Sequence, residues 1–515
     1  MLNVEELITG DKQKMNTEWA GPPKNVHFLI LPAYVRYNDA APLAVRPGVK
    51  NPVAKDLLFF PLGYGQAINS LRTYTHHRIE VIDPYAEYVG IDGLENWLDA
   101  TYQSRHLADP DYVLIGGMST NWPVVKGVTK IIQRKFPTTR IICGGTIADL
   151  HYEILLKKLK IYAAVLGEAD FVIVDLFRNL DALEVVPGIA YLDKSGAVIR
   201  TATPNPPDLN QVLEPAWDMM NTAEYVNSSK RMVGFKGLPI NTSRGCPFSC
   251  RFCYISSGRK MRQLTVANVI DRMLRLRDQY HLDYIAFLDD IMFVDKDWMW
   301  NLGEAMIKAN VGLMWNCSTR VNLFSEKDGP LLRLLRNAGL VRMSFGIETG
   351  SSKILKNMGK TGVSPEKARA TLRLVRKYDI RATASMLIGF PGETPETIQE
   401  SVKFCKDNLL YPDFYLLQPF PGTDVYDKYV RETYDEESYL DLIADYREGE
   451  KFPINLTEMT DEELDRLRIK AQGEVKRFYF GRYVEYHAWS TPKRILWEAY
   501  SQFQRIKRGS LFVTP

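Results

Sequence analysis

Thr242–Arg262 reads TSRGCPFSCRFCYISSGRKMR and carries three of the six cysteines of the chain, Cys246, Cys250 and Cys253, within eight residues. The stretch begins inside LPINTSR (Leu238–Arg244), a short run of the kind that forms a buried strand, so the cysteines fall on the loop that follows a strand. Three thiolates this close in sequence can bind three irons of a cubane through one loop, leaving the fourth iron open to an exogenous ligand. A structural zinc wants four ligands. The nearest histidines, His151 and His281, are distant in sequence, and Cys143, Cys317 and Cys405 are scattered. The spacing favours a [4Fe–4S] cluster over a zinc site and over three cysteines with no metal.

Working outward, the same alternation continues downstream. After Leu238–Arg244 come YIAFLDD (Tyr284–Asp290), LMWNCSTR (Leu313–Arg320), VRMSFGIE (Val341–Glu348), RATASMLIGF (Arg381–Phe390) and DFYLLQPF (Asp413–Phe420). Helical segments such as Val266–Tyr280, Leu331–Ala338, Pro365–Tyr378 and Thr397–Leu409 separate them. Six βα units predict a partial (β/α)6 barrel with its chemistry at the carboxyl ends of the strands. From about Glu436 the pattern turns helical and amphipathic to the end.

Upstream lies a second α/β series. Val26–Pro32, Arg78–Pro84, Asp111–Gly117, Arg140–Gly145 and Tyr162–Glu168 are five buried-strand candidates, with helix-length segments such as Leu62–Tyr74 and Pro123–Phe136 between them. Regular βα alternation predicts an open parallel sheet, and the right-handed crossover rule favours the flavodoxin-like, Rossmann-type order. A ligand there meets the loops Pro32–Phe60, Gly116–Asn121, Gly144–Thr146 and Gly167–Asp170. Between the two series, one hairpin around Lys194–Gly196 and a Pro/Asn-rich stretch read as a connection. The expected organisation is a 1–24 extension, a 25–186 domain, a 187–235 hairpin and linker, a 236–435 barrel and a 436–515 helical region.

Composition is that of an ordinary globular protein: 515 residues, 45% hydrophobic and 25% charged, with no internal repeat or low-complexity tract. A net charge of +3 is too small to imply nucleic acid as the main partner. Clustered rather than framework cysteines suit a reducing compartment. No stretch resembles a signal peptide or reaches the roughly 20 apolar residues of a membrane span, so a cytoplasmic protein is expected. Pro492–Phe512 mixes basic and aromatic residues at helical spacing; a packed terminal helix is the first reading and a membrane-surface helix the second.

CxxxCxxC with an aromatic before the last cysteine, here Phe252, resembles the signature of the radical SAM superfamily. In that family the open iron chelates S-adenosylmethionine (SAM), and one electron cleaves it to a 5′-deoxyadenosyl radical; a ferredoxin or flavodoxin is the implied donor. Further positions resemble the family's SAM contacts. They are Asp289 and Asp290 in FLDDIMF, Arg320 in CSTR, Glu348 in GIETGS, and Gly389, Pro391 and Gly392 in IGFPGET. Taken singly, acids at strand ends are often helix caps and Gly-Pro turns only turns. Their order after the triad carries the resemblance.

The upstream domain alone could bind a flavin, a nucleotide or cobalamin, or bind nothing; the chain has no GxGxxG and no P-loop. Placed before such a barrel it resembles the B12 domain of cobalamin-dependent radical SAM enzymes. The resemblance rests on PLGYGQAINSLR (Pro61–Arg72, with Pro61, Leu62 and Gly63), on Gly116–Gly117 with Ser119, on Gly144–Gly145–Thr146, and on LGEADF (Leu166–Phe171, with Gly167 and Glu168). A DxHxxG loop is missing after the first strand, which implies base-off cobalamin with no histidine beneath cobalt; Tyr34, Arg36 and Tyr37 are the candidates for that face. Asp149–Leu150–His151 reads as a helix start.

The resemblance spans roughly residues 25–430. It implies a C-methyltransferase that uses two SAM per product, one as methyl donor and one as radical source. Its acceptor would be an unactivated sp3 carbon of a protein side chain, as in the archaeal glutamine methylation of methyl-coenzyme M reductase, or of a lipid-like molecule. The same class includes ring cyclases and hopanoid-modifying enzymes, and a non-catalytic cluster-bearing sensor is the remote alternative.

Overall fold

The computed structural model describes residues 22–31, 58–444 and 454–487. Tyr34, Arg36, Tyr37 and the segment Pro492–Phe512 lie outside the described residues. The chain divides into two compact units, one of the first strand with Pro61–Asn221 and the other of Leu58–Phe60 with Thr222 onward.

In the first unit, β1 (Asn25–Leu29), β2 (Arg78–Ile82), β3 (Tyr112–Gly116), β4 (Arg140–Gly144) and β5 (Ala163–Val165) are followed by β6 (Ile189–Leu192) and β7 (Val198–Arg200). They form one sheet in the order β2-β1-β3-β4-β5-β6-β7. The first five strands are parallel in the flavodoxin-like order, as the alternation predicts. Helices cover both faces, so β3 (YVLIG) is buried along its whole length and reads as an unbroken apolar run. The hairpin β6–β7 joins the sheet antiparallel beside β5. Its turn is closed by Asp193, whose Oδ1 accepts from the Ser195 and Ala197 amides at 2.8 and 2.9 Å.

The second unit holds β8 (Gly237–Ile240), β9 (Ser243–Arg244), β10 (Arg262–Gln263), β11 (Tyr284–Phe287), β12 (Met314–Thr319), β13 (Leu340–Glu348), β14 (Arg381–Ile388) and β15 (Asp413–Leu416). Six of these make an all-parallel sheet in the order β15-β14-β13-β12-β11-β8, the partial barrel expected from the six βα units. β9 and β10 pair separately as a two-stranded antiparallel ribbon. On β13 the residues Met343, Phe345 and Ile347 are buried, while Arg342, Ser344 and Gly346 alternate with them on the other face. Helices start at recognisable caps: Ser364 accepts from the Lys367 amide at 3.2 Å with Pro365 in the first turn.

The helix Asp461–His487 protects the free edge at β15. Gln472 accepts from the Phe414 amide at 3.1 Å and donates to the Pro412 carbonyl at 3.1 Å, which satisfies edge groups that would otherwise invite another strand. The pair Lys406–Glu474 at 2.8 Å joins the same helix to Pro395–Asp407. Among the described residues, no helix is long and apolar enough to cross a membrane.

Candidate active site

The cysteines occupy the loop between β9 and β10. Gly245, at φ +93°, opens it; a Cβ there would lie 2.5 Å from the Lys260 carbonyl oxygen, so only glycine fits. The loop closes on itself through Cys246 N to Gly258 O at 3.2 Å and Cys253 N to Cys250 O at 3.1 Å. Burial, with the neighbouring thiols adding to it, pushes the Cys246 thiol up and the Cys253 thiol up to about 11. The three sulfurs thus share one field, while Cys143, Cys317 and Cys405 are buried elsewhere. Among the described residues, no three His, Cys, Asp or Glu side chains converge as a mononuclear metal site.

Two aspartates brace this loop from the end of β11. Asp289 is buried, and its carboxylate accepts from Thr242 N at 2.7 Å, Thr242 Oγ1 at 3.1 Å, Ser243 Oγ at 2.8 Å and the Ser243 amide. Burial lifts its carboxyl to about 6 against those hydrogen bonds. Asp290 accepts from Gly245 N at 2.9 Å. The sequence pattern pairs both with SAM; the fold gives both a hold on the cysteine loop, and the oxygens of Asp289 are committed to it.

Arg320 sits under the loop. Its Nη1 donates to Cys250 Sγ at 3.1 Å, Nη2 to Thr361 O at 3.1 Å and Nε to Asn322 Oδ1 at 3.1 Å. Its guanidinium lies 3.9 Å from the centre of the Phe248 ring. The guanidinium thus places a positive charge directly beside a cysteine sulfur. The donor set therefore fits a cluster held by three cysteines.

Glu348 ends β13 at φ +71°, where the pairing register with β14 shifts. Its Oε1 pairs with Lys360 Nζ at 2.6 Å, and both side chains are largely buried. The pair lies against Gly346, whose added Cβ would come 2.5 Å from Glu348 Oε1. Nothing in the local pattern around Lys360 announces this role.

The turn Gly389–Gly392 also has an anchor absent from the motif reading. Gly389 (φ +99°) and Gly392 (φ +85°) both need glycine. Buried Glu393 accepts from Gly389 N at 2.6 Å. Asn357 Nδ2 donates to Pro391 O at 3.4 Å, while Arg251 Nη1 donates to Asn357 O at 3.1 Å. Phe252 packs edge-on against Phe390, ring centres 6.4 Å apart. The cysteine loop and the glycine turn are thus tied through the helix Ser352–Asn357.

Burial holds the Glu393 carboxyl up at about 7, above its ordinary 4.5. A carboxyl raised in the folded state binds its proton more tightly there, so its stabilising contribution is full below the ordinary value and lost as pH rises through about 7. Glu393→Gln keeps an acceptor for Gly389 N and carries no charge. Its Tm relative to the parent should be near zero at about pH 5 and clearly positive at about pH 8. A Tm difference that does not change across this range refutes the assignment.

In the first unit the predicted residues gather at the carboxyl ends of β3, β4 and β5. A Cβ at Gly116 would lie 2.9 Å from Gly144 O, and one at Gly145 (φ +78°) 2.7 Å from Gly117 O, so these glycines let the two loops touch. Tyr64 donates to Gly116 O at 2.8 Å, and Asp149 accepts from the Gly167 amide. Pro61 stands just before the helix that carries Leu62 and Gly63, Glu168 just before Ala169–Arg178, and Thr146 begins Thr146–Lys157. Among the described residues, nothing lies within 4 Å of a Cβ built at Gly63 or Gly167. His151 lies well inside its helix, at a kink, buried with a ring nitrogen 3.0 Å from Ser119 Oγ. Among the described residues, backbone and small side chains at these loop ends leave room for a large cofactor.

Residues 240–405 match the Radical SAM superfamily. Over 425 residues the chain is 26% identical to an uncharacterized methyltransferase of Pyrococcus horikoshii, covering 80% of this chain and 86% of that one. It is 26% identical over 465 residues to the cytidylyl-2-hydroxyethylphosphonate methyltransferase of Streptomyces wedmorensis, covering 80% and 85%. The fold is similar to the radical S-adenosylmethionine methyltransferase TsrM from Kitasatospora setae, solved with cobalamin and a [4Fe–4S] cluster. There the TM-score is 0.61 at 18% identity, over 78% of this chain and 77% of that one.

Proposed function

Because this chain carries a radical SAM domain, we propose that it is a cobalamin-dependent methyltransferase acting on an unactivated sp3 carbon with two SAM per product. The observation that carries the reading is the joining of a braced three-cysteine loop and a flavodoxin-like unit in one chain, two of whose relatives matched over 80% of this chain are named methyltransferases, while others are named anaerobic magnesium-protoporphyrin IX monomethyl ester cyclases. When bound, the cluster with its SAM supplies a 5′-deoxyadenosyl radical and cobalamin supplies the methyl group. The protein's part is positioning and exclusion of water. Cys246, Cys250 and Cys253 hold the cluster, Asp289 and Asp290 fix their loop, and Arg320 presses on Cys250. Phe252, Glu348 and the turn of Gly389, Pro391 and Gly392 would hold the SAM.

In the first unit, Pro61–Gly63, Gly116–Gly117, Ser119, Gly144–Thr146 and Gly167–Glu168 are assigned to cobalamin, bound base-off. A ferredoxin- or flavodoxin-type donor supplies electrons, and the acceptor is a protein side chain or a small lipid-like molecule. Compartment stays with the cytoplasmic expectation.

A ring cyclase needs only the radical, so product stoichiometry separates the two chemistries. Incubated anaerobically with its acceptor, the enzyme should form S-adenosylhomocysteine and 5′-deoxyadenosine in about equal amounts, each matching product that has gained one methylene unit by mass. Robust 5′-deoxyadenosine with S-adenosylhomocysteine at background would exclude methyl transfer.

A further inference from the structure

The loop 358–362, between the helices Ser352–Asn357 and Pro365–Lys377, touches three separate parts of the site. Met358 O accepts from the amide of Arg251, in the cysteine loop, at 3.0 Å. Lys360 Nζ donates to Oε1 of Glu348, at the end of β13, at 2.6 Å. Thr361 O accepts from Nη2 of Arg320, just past the end of β12, at 3.1 Å. Left-handed backbone at Gly359 (φ +65°) and Gly362 (φ +74°) lets so short a segment reach all three.

Lys360 is the unusual member of this loop. Lysine is almost never fully buried unless it is paired, and here only 4% of its side chain is exposed, against 12% for Glu348. Its ammonium also lies 6.0 Å from the ring centre of Phe252, the neighbour of Cys253. The charge of Glu348 is near enough to Cys253 to help push that thiol up. Replacing a buried ion pair by apolar groups often costs no stability, so stability alone does not call for one. Glu348 also stands in left-handed backbone, which a residue other than glycine keeps only where its surroundings hold it, and such positions cluster at functional sites. Lys360 takes Oε1, and among the described residues no hydrogen bond reaches Oε2. The pair therefore fixes the carboxylate and leaves one oxygen to a ligand.

We propose that Lys360 is a positioning residue of the SAM site: it holds the Glu348 carboxylate in the orientation that meets SAM, without touching SAM itself. The backbone of the same loop sets Arg320 through Thr361 O, so one segment aligns side chains from two strands with the cysteine loop. The proposal rests on the reading that Glu348 meets SAM, and adds what orients it.

The test is anaerobic equilibrium dialysis of the full, cluster-loaded chain against SAM, with iron content and circular dichroism measured for every variant. Lys360→Met should keep the fold and the cluster iron and bind SAM at least about tenfold more weakly, a loss within the range for coupled neighbours. Lys360→Arg, which keeps the charge, should regain most of that binding. Because Lys360 acts through Glu348, Glu348→Gln should show a similar loss, and Glu348→Gln with Lys360→Met no greater loss than either alone. The Tm of that double variant should return toward the parent's, since neither charge is then buried alone. Where Lys360→Met does not fold, Lys360→Gln, uncharged but still a donor, takes its place. Unchanged SAM binding in the folded, iron-loaded Lys360 variant overturns the proposal, as does a double variant whose loss is the product of the two single losses. Normal SAM binding by Glu348→Gln is a separate result that removes the reading of Glu348 and the proposal with it. No turnover is involved, so failure here is distinct from failure of the stoichiometry test of methyl transfer.

Discussion

Replacing Cys246, Cys250 and Cys253 together by alanine is expected to remove all cluster iron and all SAM cleavage while leaving the protein folded. Reconstituted anaerobically, the parent should carry about four iron and four sulfide, as a cubane requires. The other cysteines cannot substitute. Cys143, Cys317 and Cys405 are buried at 0%, 1% and 0% exposure, and burial pushes all three thiols upward, Cys143 to about 12. The fold should survive because the loop is held by other groups. Gly245 N is bound to Asp290, Arg251 N donates to Met358 O at 3.0 Å, and Phe252 packs on Phe390. Iron and sulfide analysis, 5′-deoxyadenosine yield and circular dichroism check the three parts. A triple variant that kept a normal cluster would transfer the ligand role to other residues and end the assignment.

Changing Arg320 or Glu348 should cut 5′-deoxyadenosine by at least about tenfold, equivalent to about 1.4 kcal/mol of lost positioning or transition-state energy. The two variants should differ in stability. Arg320→Lys keeps the charge but loses the three-way fork to Cys250, Thr361 and Asn322 and the stacking on Phe248, so it should fold nearly normally with an altered cluster spectrum. Glu348→Gln leaves Lys360 charged and buried, and breaking one side of a buried pair costs roughly 3–5 kcal/mol, so its Tm should fall markedly. If one SAM site serves both reactions, S-adenosylhomocysteine should fall alongside 5′-deoxyadenosine. Full 5′-deoxyadenosine yield in both variants would remove Arg320 from the support of the cluster loop and Glu348 from the SAM site.

The legible part of this protein is the part written in short-range pattern. Eleven strands, five in the first sheet and six in the second, appear as short apolar or alternating runs because each must bury at least one face, and the intervening helices appear through caps and the 3.6-residue period. The cysteine loop and the Gly389–Gly392 turn are equally local, since a cluster loop needs close thiols and a positive φ needs glycine.

What tertiary structure decided is where side chains point and what they meet. Asp289 and Asp290 read as ligand contacts from position alone, yet both turn toward the cysteine loop some 45 residues earlier because β8 runs beside β11. Arg320 reaches Cys250 across 70 residues, Lys360 reaches Glu348 from the loop after a helix, and Glu393 folds back on Gly389. The hairpin 189–200 reads as part of a connection but pairs with β5, because hydrogen-bonding to an open edge is a property of the assembled sheet. The loop 358–362 meets the cysteine loop, Arg320 and Glu348 only once β12 and β13 lie side by side. By itself the sequence determined the order of elements and the cluster loop, because both depend on neighbours in the chain. The assembled sheets decided which polar groups brace the site, because register and packing join residues that no local period relates.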